Sequence, residues 1–346
     1  MTMLARLMNG GRGFGSARCR AASLLVGVVC FGGSAQAQLT FQIDFGTDSG
    51  TGFIDPTFGA ERQQALLSAA DAFSSMFDSH FNNPATIQLL ATAVPTGVAF
   101  FSNTLFSSGT AGFTATNVVQ PKLQGGVDLN GSAADGVINV NFAQPWQLNP
   151  NTTPASGQID FFGVAYHEFT HALGFYSAIG QDGSPAFGSK SAGEWASFER
   201  FLTDRNGTKV VNTDFSLNQR VWDAASVGGA SPADGLFFDG SFAKAANGGS
   251  LVGLYSPANW LEGSSASHLD TDNAALAGSM MLHSVVAGRT LARDYSAIEV
   301  GMLRDLGYTA SVVPEPSPWV LMVAGLGLVG GLSRRPGRRA GAWQPA

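Results

Sequence analysis

The sequence predicts an α+β fold, with two lobes arranged around one central helix and a cleft. Three features predict it. A 3.6-residue apolar repeat runs through residues 55–81, strand-like segments and turns fill residues 84–147, and a second helical stripe covers residues 158–174 before a more irregular, Gly-rich remainder.

Taken in chain order, Arg6, Arg12, Arg18 and Arg20 precede the apolar run "AASLLVGVVCFG" and then "SAQAQ", where Ala35 and Ala37 form a small-residue cleavage pattern. A basic flank, an apolar core and an A-x-A site in that order predict a secretory signal peptide over residues 1–37, cut after Ala37. The mature chain opens on the strand-like "LTFQIDF". In the following helix, Leu66, Ala69, Ala70, Phe73, Met76 and Phe77 share one face, and His80 stands at the C-terminal end, where a cation suits the helix dipole. "ATIQLLATAV" and "GVAFF" read as strands. "GVINVNFA" alternates, with Val137, Asn139 and Asn141 on one side and Ile138, Val140 and Phe142 on the other. Asp128, Asn130, Ser132 and Asp135 are oxygen-rich, but the Gly and Glu positions of a calcium-binding hand are not met, so no calcium site is expected there.

The linker "NPNTTPASGQ" leads into residues 158–174. Phe162, Ala165, Tyr166, Phe169, Ala172 and Leu173 form an apolar stripe, leaving His167, Glu168 and His171 on a different face. Beyond it, "SAGEWASFERFLTD" reads as helical and "DYSAIEVGMLRDLGY" as a closing helix. At the far end, Pro314, Glu315 and Pro316 precede an apolar run from Pro318 to Leu332, with Arg334, Arg335, Arg338 and Arg339 behind it. That run is shorter than the roughly 20 residues of a full membrane span, and the arginines would hold its end in the cytoplasm. The expected organisation is therefore 1–37 leader, 38–174 N-terminal lobe, 175–312 C-terminal lobe and 313–346 sorting tail.

Charge and cysteine content exclude several functions. Eight of the 19 basic residues lie in the two terminal segments but only one of the 25 acidic ones, which leaves 11 against 24 and a net charge of −13. A surface of that sign repels nucleic acid, so no nucleic-acid partner is expected. Both cysteines, Cys19 and Cys30, fall in the leader, so the mature protein has neither a disulfide nor a cysteine nucleophile.

The chemistry sits in "HEFTHALGF", residues 167–175. Residues i and i+4 of a helix share a face, so His167 and His171 can present imidazole nitrogens to one point. Zn2+ bound there would lower the pKa of a coordinated water toward about 7, and Glu168 could take its proton as it attacks a carbonyl. This H-E-x-x-H logic is that of a metallopeptidase. A third ligand is needed, and six residues after His171 the chain has Ser177.

The pattern "HEFTHALGF" resembles the metzincin clan of zinc peptidases, in which a glycine, here Gly174, turns the chain under the metal. Most of that clan has its third histidine where Ser177 stands. The leishmanolysin-like branch inserts a long segment first, and this chain is similar to it in "NWLEGSSASHLDTDNAALAGSMMLHSVVAGRTLARDYSAIEVGMLRDLGY", residues 259–308. The resemblance implies a metzincin-like fold around an active-site helix and cleft, with His268 as third zinc ligand and Met280 or Met281 in the Met-turn. It also implies Glu168 as the catalytic base, protein or peptide substrates, and Zn2+ as cofactor. Alternatives stay open: His283 beside the methionines, or Glu194 or Glu199 on the "GEWASFER" segment, as third ligand. Tyr295 or Tyr308 could donate to an oxyanion, although phenols in such helices usually pack. The C-terminal segment resembles the bacterial PEP-CTERM sorting signal, which implies an envelope with an outer membrane, transient membrane anchoring and cleavage by a sorting protease. A non-enzymatic rival is a surface or matrix-binding protein with a structural zinc.

Overall fold

The computed structural model describes residues 39–46, 51–77, 83–228 and 234–309. The leader with its cleavage site, His80 and the C-terminal sorting segment lie outside the described residues. Among the described residues no helix is long and apolar enough to cross a membrane.

The architecture is mixed α and β. Strand β1 (Leu39–Phe45) runs parallel to β2 (Ala85–Ala93), and helix α1 (Gly59–Phe77) lies between them in sequence, as a parallel crossover requires. Strand β3 (Ala99–Asn103) is antiparallel to β4 (Gly136–Val140), which is itself parallel to β2, and the order β1-β2-β4-β3 puts β3 at the sheet edge. The α1 stripe enters the core as its spacing predicts: Leu66, Ala69, Ala70, Phe73 and Phe77 are buried, and Met76 partly so. The alternation in β4 also holds, but its polar side is not solvated. Asn139 is buried with Thr92 donating to its Oδ1 (2.7 Å), and buried Asn141 donates to the Gly97 carbonyl (2.9 Å).

Helix α2 (Val119–Gly125) contributes Lys122, which resolves the oxygen-rich loop at 128–135. Its Nζ donates to both oxygens of Asp135 (2.7 and 3.0 Å) and lies 3.3 Å from Asp128, so a lysine supplies the cation among these carboxylates. Lys122 is 4% exposed and Asp135 0%. Lys122→Ala is expected to cost about 3–5 kcal/mol, because Asp135 would be left charged and unpaired in the interior. The check is the urea unfolding midpoint.

Helix α3 (Phe161–Ala172) is the predicted central helix, shorter at both ends than the sequence stripe. Asp160 starts it, accepting from the Gly163 amide (3.4 Å) while also binding Arg293 (2.7 Å) and the Leu291 amide (2.9 Å). Gly163 is required because a Cβ there would lie 2.4 Å from Leu291. Phe169 packs on Phe41 and Phe73 (centroids 4.7 and 5.4 Å), which fixes the helix against β1 and α1. Every α3 residue except His167 is buried, so the face carrying Glu168 and His171 is covered as well as the apolar stripe.

The chain after α3 is irregular, and one expectation fails there. Residues 191–204 are not a helix but a short strand (Ala192–Glu194), a 3-10 turn (Phe198–Phe201) and a two-residue strand (Leu202–Thr203). Tertiary pairing overrides local propensity: Trp195 exchanges backbone bonds with Gly112 and Ala115, and its buried indole donates to the Phe215 carbonyl. Helices α4 (Gln219–Ala225) and α5 (Ser241–Ala246) follow. The closing helix α6 (Ala297–Asp305) forms as read, begun by a capping box between Ser296 and Glu299, with Asp305 accepting from the amides that open α5.

Candidate metal centre

The local sequence ends α3 sharply. Gly174 adopts φ +91°, its amide donates to the His171 carbonyl (3.0 Å), and a Cβ would lie 2.7 Å from the Gln120 amide group. This turn sends the chain beneath the helix, where the Phe175 carbonyl meets His171.

Three histidines converge. The Nε2 atoms of His167 and His268 are 3.0 Å apart, those of His167 and His171 3.1 Å, and those of His171 and His268 3.2 Å. On the other side of each ring, Nδ1 meets a backbone carbonyl: Met280 for His167 (2.8 Å), Phe175 for His171 (2.7 Å) and Ser264 for His268 (2.9 Å). A carbonyl can only accept, so each Nδ1 carries the proton and each Nε2 presents a lone pair. Three lone pairs aimed at one another repel unless a cation lies among them. Tetrahedral zinc with bonds of about 2.0–2.1 Å sets nitrogens about 3.3 Å apart, close to the spacing found. Burial pushes the imidazole pKa values down, to about 4 for His167 and about 3 for His171, with the neighbouring ring adding to the effect at His171. His268 is pushed well down by burial and by both other rings. All three are therefore held neutral, the form that binds metals. Among the described residues they are the one group of three or more potential ligands close enough to hold an ion.

His268 is brought to the helix by an unforeseen use of Ser177. The Ser177 amide donates to Ser267 Oγ (3.1 Å), which returns a bond to the Ser177 carbonyl (3.3 Å). Ser177 Oγ and the Ala178 amide both donate to Glu199 Oε1 (3.0 and 2.5 Å). The serine therefore ties its own loop to the residue preceding His268, and buried Glu199 anchors that tie.

The other predicted residues take distinct places. Glu168 is buried, accepts from the Phe101 amide of β3, and is pushed up to about 8 by burial; its Oε2 has no partner. A divalent cation nearby would draw that value back down. Met280 touches α3 twice, through its carbonyl on His167 and through Sδ, which accepts from Thr170 (3.5 Å), whereas the backbone of Met281 donates its amide to Glu299 and accepts at its carbonyl from the Leu269 amide. Glu194 lies outside the triad, accepting from Ser107 and Ser108 to fasten a loop. His283 also lies outside it, with Nδ1 on Thr271 (2.7 Å) and its ring stacked on Tyr255. The phenols of Tyr295 and Tyr308 are spent on the Thr170 hydroxyl and on the carbonyl of Leu173, which caps the C-terminus of α3. Sequence reasoning missed the three carbonyls, the Phe101 amide and the Ser177–Ser267 tie. Backbone groups carry no residue signature, and a serine pair far apart in sequence offers none.

Comparison with protein-family models, with curated proteins and with solved structures finds no match. The conclusion that these three histidines can hold a metal ion rests on their geometry alone.

Proposed function

We propose that the chain is an exported zinc-dependent endopeptidase acting on protein or peptide substrates. The observation that carries this reading is the donor set: three neutral imidazoles with no fourth ligand among the described residues, next to a buried glutamate with one free oxygen. A structural zinc is closed by four protein ligands, whereas a hydrolytic one keeps a position open. Zinc in this site supplies a Lewis acid for the scissile carbonyl and a more acidic water.

The chain's own residues supply the remainder. The three carbonyls at Nδ1 fix ring orientation and tautomer, as second-shell acceptors do at metal sites. His167 keeps partial exposure, which gives a substrate access to the site. Glu168 takes the proton from the attacking water and delivers it to the departing amine, and the Phe101 amide holds its carboxyl in place. Because β3 ends the sheet, an extended peptide adding to that edge would run past Glu168.

The test is the metal content of the purified full-length protein, together with its cleavage of an unstructured protein with and without a zinc chelator. Cleavage that stops on chelation and returns with zinc is expected. A zinc-replete protein that cleaves nothing would sink the peptidase reading and leave a structural metal in a binding protein.

A further inference from the structure

Glu299 on α6 is a buried carboxyl group that the reaction itself does not use. It is 0% exposed, and among the described residues no lysine or arginine forms an ion pair with it. Its Oε2 accepts from the Ser296 amide (2.7 Å), which completes the capping box at the start of α6. A cap of that kind requires neither burial nor a second oxygen. The second oxygen, Oε1, is nevertheless engaged, accepting from the Met281 amide (2.7 Å). Burial pushes the carboxyl group up, while the amides of Ser296, Met281 and Met280 pull the other way. An amide N–H can only donate, so these partners suit an ionised carboxylate, and the positive end of the α6 dipole favours the same form.

The Met281 N–H and the Met280 carbonyl belong to one peptide group. That carbonyl accepts from Nδ1 of His167 (2.8 Å). A continuous chain therefore runs from the Glu299 carboxylate through the Met280–Met281 peptide and the His167 ring to Nε2, which meets the other two imidazoles at 3.0 and 3.1 Å. An anion bonded to a peptide N–H moves electron density onto the carbonyl oxygen, so the next bond in the chain strengthens. A stronger acceptor at Nδ1–H makes Nε2 the better metal donor, as a carboxylate does when it touches a zinc-bound histidine directly. His268 offers an internal contrast. Its own acceptor is the Ser264 carbonyl, and the N–H of that peptide, on Ser265, donates to the neutral Leu261 carbonyl (2.9 Å).

We propose that Glu299 is a positioning residue for the metal: acting through the Met280–Met281 peptide, it fixes the His167 ring and strengthens its bond to the ion. The proposal rests on the triad holding a metal and is independent of whether peptides are cleaved.

The experiment uses the zinc-loaded full-length protein with isotope-labelled histidine. The ring Nδ1 protons are followed by NMR, and zinc affinity by competition with a chelating dye. The His167 proton should lie further downfield than that of His268, the mark of a stronger hydrogen bond. Glu299→Gln should move it upfield, leave the His268 proton in place and weaken zinc binding about 10–100-fold. Ser296→Ala removes the capping hydroxyl but keeps the carboxylate, so it should lower the unfolding midpoint and change neither readout. That contrast separates loss of a helix cap from loss of the chain, and the wild-type ordering of the two resonances tests the proposal even where Glu299→Gln does not fold. A His167 proton no further downfield than that of His268, or a Glu299→Gln protein with wild-type zinc affinity, overturns the role of Glu299 alone. A wild-type protein that takes up no zinc overturns the metal reading, and this role with it.

Discussion

Glu168→Gln is expected to keep its metal and lose peptide hydrolysis by about 10²–10⁴-fold, the range that general acid–base catalysis contributes. Glutamine has the same shape and can still accept from the Phe101 amide through its carbonyl oxygen, so the anchor to β3 survives. The triad is untouched, because Glu168 is not among the three clustered ligands. What disappears is a site that can take a proton from the attacking water and return it to the leaving nitrogen. Stability should not fall, since the substitution replaces a carboxyl whose charged form burial disfavours with a neutral amide. The measurement is kcat on one peptide alongside zinc content and the thermal midpoint. Undiminished turnover would remove Glu168 from the mechanism, and lost zinc would mean that the carboxylate supports the metal instead.

What the sequence made legible was whatever depends on local period. Two histidines four apart on a helix with an apolar back can be read before folding, and so can the α1 stripe, the β4 alternation and the capping box of α6. Residues 191–204 have an apolar spacing that fits a helix, yet they form none, because Gly193 and Trp195 are claimed by backbone pairing with Gly112, a partner 81 positions before Gly193. Lys122 illustrates a related limit: its position on α2 gives no hint that it neutralises Asp135 across a loop. The third ligand is intermediate. His268 was reached only through resemblance, and the bonds that deliver it, Ser177 to Ser267 and Glu199 to Ser177, join residues that no periodic pattern links.

Removing His268 should therefore be as damaging to metal binding as removing His171. His268→Ala leaves two imidazoles on one helix face, an open and weak site, and the loss should exceed the roughly 10–100-fold that second-shell changes cost. Competition against a chelating dye gives the zinc affinity directly, without recourse to activity. The other residues considered for the third position make the contrast. His283→Ala should retain full zinc affinity, since its ring is engaged by Thr271 and Tyr255, and Glu194→Ala should do so because its carboxylate holds Ser107 and Ser108. Glu199→Ala removes no ligand but releases the Ser177 and Ala178 donors from a buried anchor, so it should lower the unfolding midpoint while zinc still saturates. A His268→Ala protein that binds zinc like the wild type, or a His283→Ala protein that does not, would place the metal elsewhere. The convergence of three proton-free nitrogens within 3.2 Å argues against that outcome, because a buried cluster of mutually repelling acceptors gains stability only from a cation held among them.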